Sequence, residues 1–113
     1  MEKIKSFTSL KQSKVLAKIL PLESADMVYT MTNGYHTPFI RIETIQEMDK
    51  DDVCAWSLAA LLNILERGAL FKTPQGWVCH AYIVSKTETT NYYDNPIDAC
   101  VELVLKLHKL ELL

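Results

Sequence analysis

The stretch WVCHAYIV, residues 77–84, decides how this chain is read. It sets Cys79 directly beside His80, a pairing that can supply a nucleophile and its base or half of a metal site. Read as a strand, neighbouring side chains point to opposite faces. Trp77, Cys79, Ala81 and Ile83 then share one face, and Val78, His80, Tyr82 and Val84 share the other. The Cys79 face is wholly apolar and is expected to pack on a helix, with Cys79 as a small hydrophobe. The His80 face is mixed, so His80 is expected to be partly exposed or hydrogen-bonded near a tyrosine. In a strand the two residues cannot cooperate, and an inert pair is the expectation.

The segments on either side extend this strand into a fold. GALFKT precedes it through Thr73-Pro74-Gln75-Gly76, whose second-position proline and fourth-position glycine match a type I turn. TTNYYD offers a further extended piece. A helix is predicted from NPIDAC, with Asn95 as cap, Pro96 at the first helical position and Asp98 in the first turn. Ile97, Cys100, Val101, Val104, Leu107 and His108 follow at helical spacing. Glu102 precedes Lys106 by four residues, the favourable order for a surface pair.

Upstream, VCAWSLAALLNILERG is apolar almost all round from Val53 to Leu65 and reads as a central buried helix. Asp51, Asp52 or Ser57 could cap it, and Gly68 could end it. Asn33-Gly34 signals a hairpin turn. Phe39 to Glu43 reads as a strand, at an edge or starting late because Pro38 has no N–H. IQEMDKDD reads as an acidic loop. The first helix is predicted over residues 9–20, opened by a Ser9–Gln12 capping box and stopped by Pro21. Its apolar stripe is Val15, Leu16, Ile19 and Leu20. The order α-β-α-β-β-α, with no repeat or linker, implies a single α+β domain: a small, mainly antiparallel sheet packed with about three helices.

Composition narrows the functional classes. The chain has 113 residues, 49% of them hydrophobic and 23% charged, which is globular usage and enough for one small core. A net charge of -2 argues against general nucleic-acid binding. Five lysines nonetheless fall in the first eighteen positions: Lys3, Lys5, Lys11, Lys14 and Lys18. They read as a solvated helix face, with a local anionic contact as the alternative. The three cysteines are widely spaced and form no C-x-x-C, so neither a disulfide framework nor a zinc ribbon is expected. The N-terminus lacks the apolar run of a signal peptide, no segment approaches a membrane span, and no N-x-S/T acceptor occurs. An intracellular, cytoplasmic protein without membrane contact is the expectation. The histidines are scattered and each glycine has a turn or cap to explain it, so no metal and no cofactor is expected.

The candidate site residues are few. Cys54 and Cys100 both fall near predicted helix N-termini, where a thiolate is stabilised. No orienting carboxylate or oxyanion donor accompanies either, and no catalytic residue is assigned. Trp56 opens the central helix and Tyr92 precedes the last helix cap; they read as core and loop anchor, or as a recognition patch. Asp26, among apolar neighbours, caps a turn or lends its charge to a pocket. Asp26, Cys54, Trp56, His80 and Tyr92 are the candidate binding set.

LKQSKVLAKILPLESADMVY, CAWSLAALLNIL and NPIDACVELVLKLHKLELL together resemble a family of small uncharacterised proteins of gut Bacteroides-type bacteria and their phages or prophages. The likeness covers most of the chain, least from Thr32 to Asp52, and is most specific in the N-P-x-D-A-C start and K-L-H of the tail. It implies origin on a phage or mobile element and a host cytoplasm, and brings no catalytic residue with it. The expectation is a non-catalytic accessory protein acting through protein–protein contact, with a protein partner or as a homo-oligomer. The alternative is a small enzyme or ligand-binding domain with a pocket near the start of the central helix. A third reading is nucleic-acid contact through the first helix.

Overall fold

The computed structural model describes residues 5–42, 48–83 and 86–113, and of residue 83 the backbone alone. The chain runs α1 (Leu10–Leu16), a 3₁₀ turn (Leu22–Ser24), β1 (Met27–Thr32), β2 (Tyr35–Ile40), β3 (Val53–Ala55), α2 (Leu58–Ile64), β4 (Gly68–Thr73), β5 (Gly76–Ile83), β6 (Lys86–Thr89) and α3 (Pro96–Lys109). This is the expected α+β class, with the strands divided between two antiparallel sheets of order β2-β1-β3 and β4-β5-β6. Of the expected features, Lys3, Glu43, Ile45, Gln46, Glu47, Val84 and the Ile83 side chain lie outside the described residues.

Helix α1 opens with the expected capping box. The Ser9 hydroxyl accepts from Gln12 N at 3.1 Å, and Gln12 Oε1 accepts from Ser9 N at 3.0 Å. It ends four residues before the predicted limit, because the backbone tightens to i→i−3 bonds at Lys18 and Ile19 before Pro21. Val15 of the expected stripe is exposed; Ser13 takes the inward place, bonded to Thr8 Oγ1 at 2.7 Å and to the Ser9 carbonyl at 2.6 Å.

Asn33 and Gly34 carry φ of 52° and 83°, the paired positive values of a two-residue hairpin turn. Pairing starts at once, Thr32 against Tyr35, so β2 begins before Pro38 and not at Phe39 as predicted. Arg41 N donates to the Asp26 carbonyl at 3.0 Å, which fixes Val28–Phe39 and Thr30–Thr37 as the hydrogen-bonded pairs. Pro38, opposite Tyr29, therefore turns its missing N–H outward, and β2 is an edge strand as its proline requires.

The predicted central helix is corrected at its start. Val53–Ala55 forms β3, paired with Met27–Tyr29, and the helix is the seven-residue α2 capped by Ser57. An apolar run without alternation suits a buried strand as well as a helix, and here tertiary pairing decides. Ser6–Thr8 runs beside the segment that follows β3: Thr8 N donates to the Trp56 carbonyl at 2.9 Å, Leu58 N donates to that of Ser6 at 3.1 Å, and Phe7 bridges Ser57.

The β4–β5 hairpin forms as predicted, Thr73 against Gly76. The next strand is Lys86–Thr89, so TTNYYD supplies only its last residue. Thr90 leaves the ladder because its hydroxyl accepts from Cys79 N at 3.0 Å and donates to the Asn91 carbonyl at 2.8 Å. Tyr93 returns to bridge Trp77, and that return needs Gly76. Its φ is +132°, and a Cβ there would meet Tyr93 O at 2.6 Å.

Helix α3 is the core element. Asn95 caps it, accepting from Asp98 N at 2.9 Å, and Pro96 leads it. Ile97, Cys100, Leu103, Val104 and Leu107 are buried, while His108 of the predicted stripe is exposed. Asp98 also ties α1 to α3, accepting from Lys5 Nζ at 2.8 Å, Gln12 Nε2 at 2.7 Å and Asn95 Nδ2 at 2.8 Å. Burial pulls its carboxyl upward, but the bonds from Lys5, Asn95 and Gln12 outweigh that and hold it below the usual carboxylate range.

Two outcomes follow from these contacts. Gly76→Ala is expected to cost about 2 kcal/mol or more in urea unfolding, since it strains φ and pushes Tyr93 off the sheet. Asp98 binds its proton less readily folded than unfolded. It therefore contributes stability above the unfolded carboxylate pKa of about 4, and that contribution is lost as pH falls through the folded value. Discounted for solvent screening, Asp98→Asn is expected to cost about 0.5–1 kcal/mol at pH 7 and to flatten the stability profile between about pH 5 and 3.

Candidate functional site

The first candidate surface is the β1–β2 hairpin. From Met27 to Ile42 it carries no acidic residue, and Arg41 is its one fixed charge. Residues 31–35 are all exposed, so the turn end stands clear of the body. Alternation places Thr30, Thr32, Tyr35 and Phe39 on one face and Met31, His36 and Ile40 on the other. Tyr35 is 77% exposed, Ile40 76% and Ile42 90%, with Met31 and Phe39 nearly half exposed. Single exposed apolar residues need no explanation, but several on one short ribbon leave both of its faces apolar.

The second is a cleft of about 490 Å³ between the C-terminal half of α1 and the start of β3. Ala17, Leu22, Met48, Val53 and Cys54 give it a mainly apolar wall. Lys14 and Lys18 stand at its rim with Asp49 and Asp52, so the local charge is mixed. A third hollow, of about 440 Å³, lies where Leu112 and Leu113 turn back towards Arg67 and Tyr82.

The sequence-selected residues are dispersed among these features. Cys54 lines the cleft, but it sits in β3 and not at a helix N-terminus. Burial pushes its thiol up, with Asp52 and Glu23 adding to the effect against Arg41. Its Sγ lies 3.8 Å from Met48 Sδ. Trp56 is fully buried, its Nε1 donating to Ser24 Oγ at 2.9 Å, so it holds the 3₁₀ turn against the core. Asp26 accepts from Ser57 N at 2.9 Å and from the Ser57 hydroxyl, docking the start of β1 onto the cap of α2 across 31 residues of sequence. Tyr92 is exposed. Its neighbour Tyr93 is pushed up to about 12 by the adjoining Glu102 carboxylate and by burial.

Cys79 and His80 lie on opposite faces of β5, as strand alternation predicts. His80 meets the Phe71 ring edge-on at 5.3 Å between centroids. Cys79 instead meets Cys100: the two sulfurs are 3.9 Å apart, both fully buried, where α3 crosses β5. The hydrogen bond to Cys79 and burial both push the Cys100 thiol far up. That is the reverse of what the fifth residue of a helix opened by Pro96 suggested. Sequence reasoning missed this contact because its signal is conditional: each cysteine lies on the apolar face of its element, and only the crossing brings them together.

Among the described residues, no group of three or more His, Cys, Asp or Glu side chains gathers to hold a metal. No described helix is long and apolar enough to cross a membrane. No family model, curated protein or solved structure matches the chain.

The three thiols give a direct check. Iodoacetamide is expected to leave Cys54, Cys79 and Cys100 unmodified in the folded protein at pH 7.5 and to label all three in guanidinium. Mass spectrometry of the intact chain reads the result; rapid native labelling of one thiol would revive it as a nucleophile.

Proposed function

We propose that this chain is a non-catalytic accessory protein that works by protein–protein contact, presenting the β1–β2 hairpin to an apolar groove on a partner protein. The observation that carries the reading is the exposure of Met31, Tyr35, Phe39, Ile40 and Ile42, on both faces of a hairpin free of acidic residues. Exposed Tyr35 and Phe39 are the kind of large, low-entropy anchor that dominates interface energetics. Pro38 shapes the mode of contact. With no N–H at the centre of the outer edge, β2 is a poor template for strand addition, so side chains and not backbone make the contact. The resemblance of the chain to small proteins of Bacteroides-type bacteria and their phages supports a role on a phage or mobile element, within a host cytoplasm.

The experiment is native mass spectrometry of the tagged protein purified gently from its host. The expected species is the chain with a stoichiometric protein partner. Tyr35→Lys together with Ile40→Lys is expected to abolish the complex while moving the melting temperature little, because both side chains already face water. A partner retained at full occupancy by the double variant would sink the hairpin reading, as would a chain that carries no partner.

One observation favours a second reading. The cleft beside Cys54 has the volume and apolar lining of a small-molecule site, with Lys14, Lys18, Asp49 and Asp52 placed to hold a polar end. A stoichiometric small molecule that is lost on Ala17→Trp would establish it.

A further inference from the structure

Strand β4 has an open edge. Tyr82 N donates to the Arg67 carbonyl at 3.2 Å, which fixes Ala69–His80 and Phe71–Val78 as hydrogen-bonded pairs. Leu70 and Lys72 therefore turn their N–H and C=O groups away from β5. Gly68 turns outward as well, but its N–H donates to the Leu65 carbonyl at 2.9 Å. Among the described residues no hydrogen bond reaches the outward groups of Leu70 and Lys72. The other edges offer less. Pro38 interrupts β2, the three-residue β3 turns only Cys54 outward, and on β6 the outward groups are those of Thr87 and Thr89, of which the Thr89 carbonyl accepts from Lys106 Nζ at 2.9 Å.

We propose that β4 is the seat of a symmetric dimer. In it β4 pairs antiparallel with β4 of a second copy across a twofold axis at Phe71. The two β4-β5-β6 sheets then join into one. Leu70 exchanges backbone hydrogen bonds with Lys72 of the second copy, and Lys72 with its Leu70, so the open groups on each edge satisfy one another. Phe71 faces Phe71 of the second copy at a position without backbone bonds, where antiparallel strands bring side chains closest. The Phe71 ring is 51% exposed and already braced by His80, so the aromatic pair forms with little further ordering.

Charge fits the same register. The Lys72 ammonium lies 5.8 Å from the centroid of its own Trp77 ring. Its apolar stem is thus left beside Leu70 of the second copy, and no like charges stand directly opposed. A second copy is the occupant because one segment supplies both sides of the hydrogen-bond exchange and both halves of the aromatic pair. This inference is independent of the hairpin reading, which concerns the other sheet.

Sedimentation velocity on the full chain between about 1 and 100 μM, the range of a modest interface, is the first test. The expected species has twice the 12.9 kDa chain mass; a monomer throughout overturns the proposal. Phe71→Cys then tests the register. Diamide, a diazene oxidant that takes up the two electrons and two protons released, is expected to join the two new thiols in a disulfide-linked dimer. The native thiols are buried and stay out of the reaction. Ala69→Cys, which faces Thr73 of the second copy, is expected to give none. Failure of the Phe71→Cys link, or equal linking at both positions, overturns the register.

Lys72→Pro removes an outward N–H from each edge without touching a bond to β5. It is expected to weaken the dimer about thirtyfold with an unchanged circular dichroism spectrum. A dimer that survives Lys72→Pro and disappears with Tyr35→Lys belongs to the hairpin and overturns the assignment to β4. Should Lys72→Pro unfold the chain, the paired cysteine variants still decide the matter.

Discussion

The crossing of α3 over β5 is the contact on which the rest of the structure depends. Its centre is the approach of Cys100 to Cys79, two small side chains that let the helix sit close to the sheet. From that point α3 holds almost everything else. Through Asp98 it fixes Lys5 and Gln12, and so the placement of α1. Through Glu102 it holds Asn91, and through Lys106 the Thr89 carbonyl and the Glu88 carboxylate. These polar ties are individually weak, but they fall at the rim of a buried apolar stripe in which each large side chain contributes about 2 kcal/mol. The stripe supplies the energy and the ties supply the orientation.

That arrangement leaves a thin molecule. Its extents are 45 × 37 × 20 Å, and its radius of gyration is 14.6 Å, against about 13 Å for a compact domain of this length. One layer of helix on one layer of sheet cannot cover both faces of both sheets. Phe71 and Tyr82 are left exposed on one, and Tyr35 and Phe39 on the other. The apolar surface that suggests partners is thus what so thin a molecule leaves uncovered.

The sequence was most legible where a local rule had no competitor. The Ser9–Gln12 box, the Asn33-Gly34 turn, the Thr73–Gly76 turn and the Asn95-Pro96 start each depend on residues within four positions of one another. The sequence was least legible at Val53–Ala55, where a uniformly apolar run carries no periodicity and the choice of strand is made by β1 from elsewhere in the chain. Ser57 was the available clue, since a cap four residues into a supposed helix marks a fresh start. The site residues fared differently for the same reason. The opposed faces of Cys79 and His80 follow from strand geometry alone. The roles of Asp26 and Trp56, by contrast, are set by Ser57 and Ser24, more than thirty residues away in each case. The exposed ribbon escaped notice because its residues look like strand interior until one knows that no layer covers them.

Pro38 has a consequence beyond its own strand. A chain with two equally receptive edges can add copies at both and grow into a filament, which is the ordinary route to fibrous aggregation. Here the long edge of one sheet is interrupted at its midpoint by a residue that cannot donate. In the β4-paired dimer we propose, that interruption leaves the β2 edges poor templates for further growth.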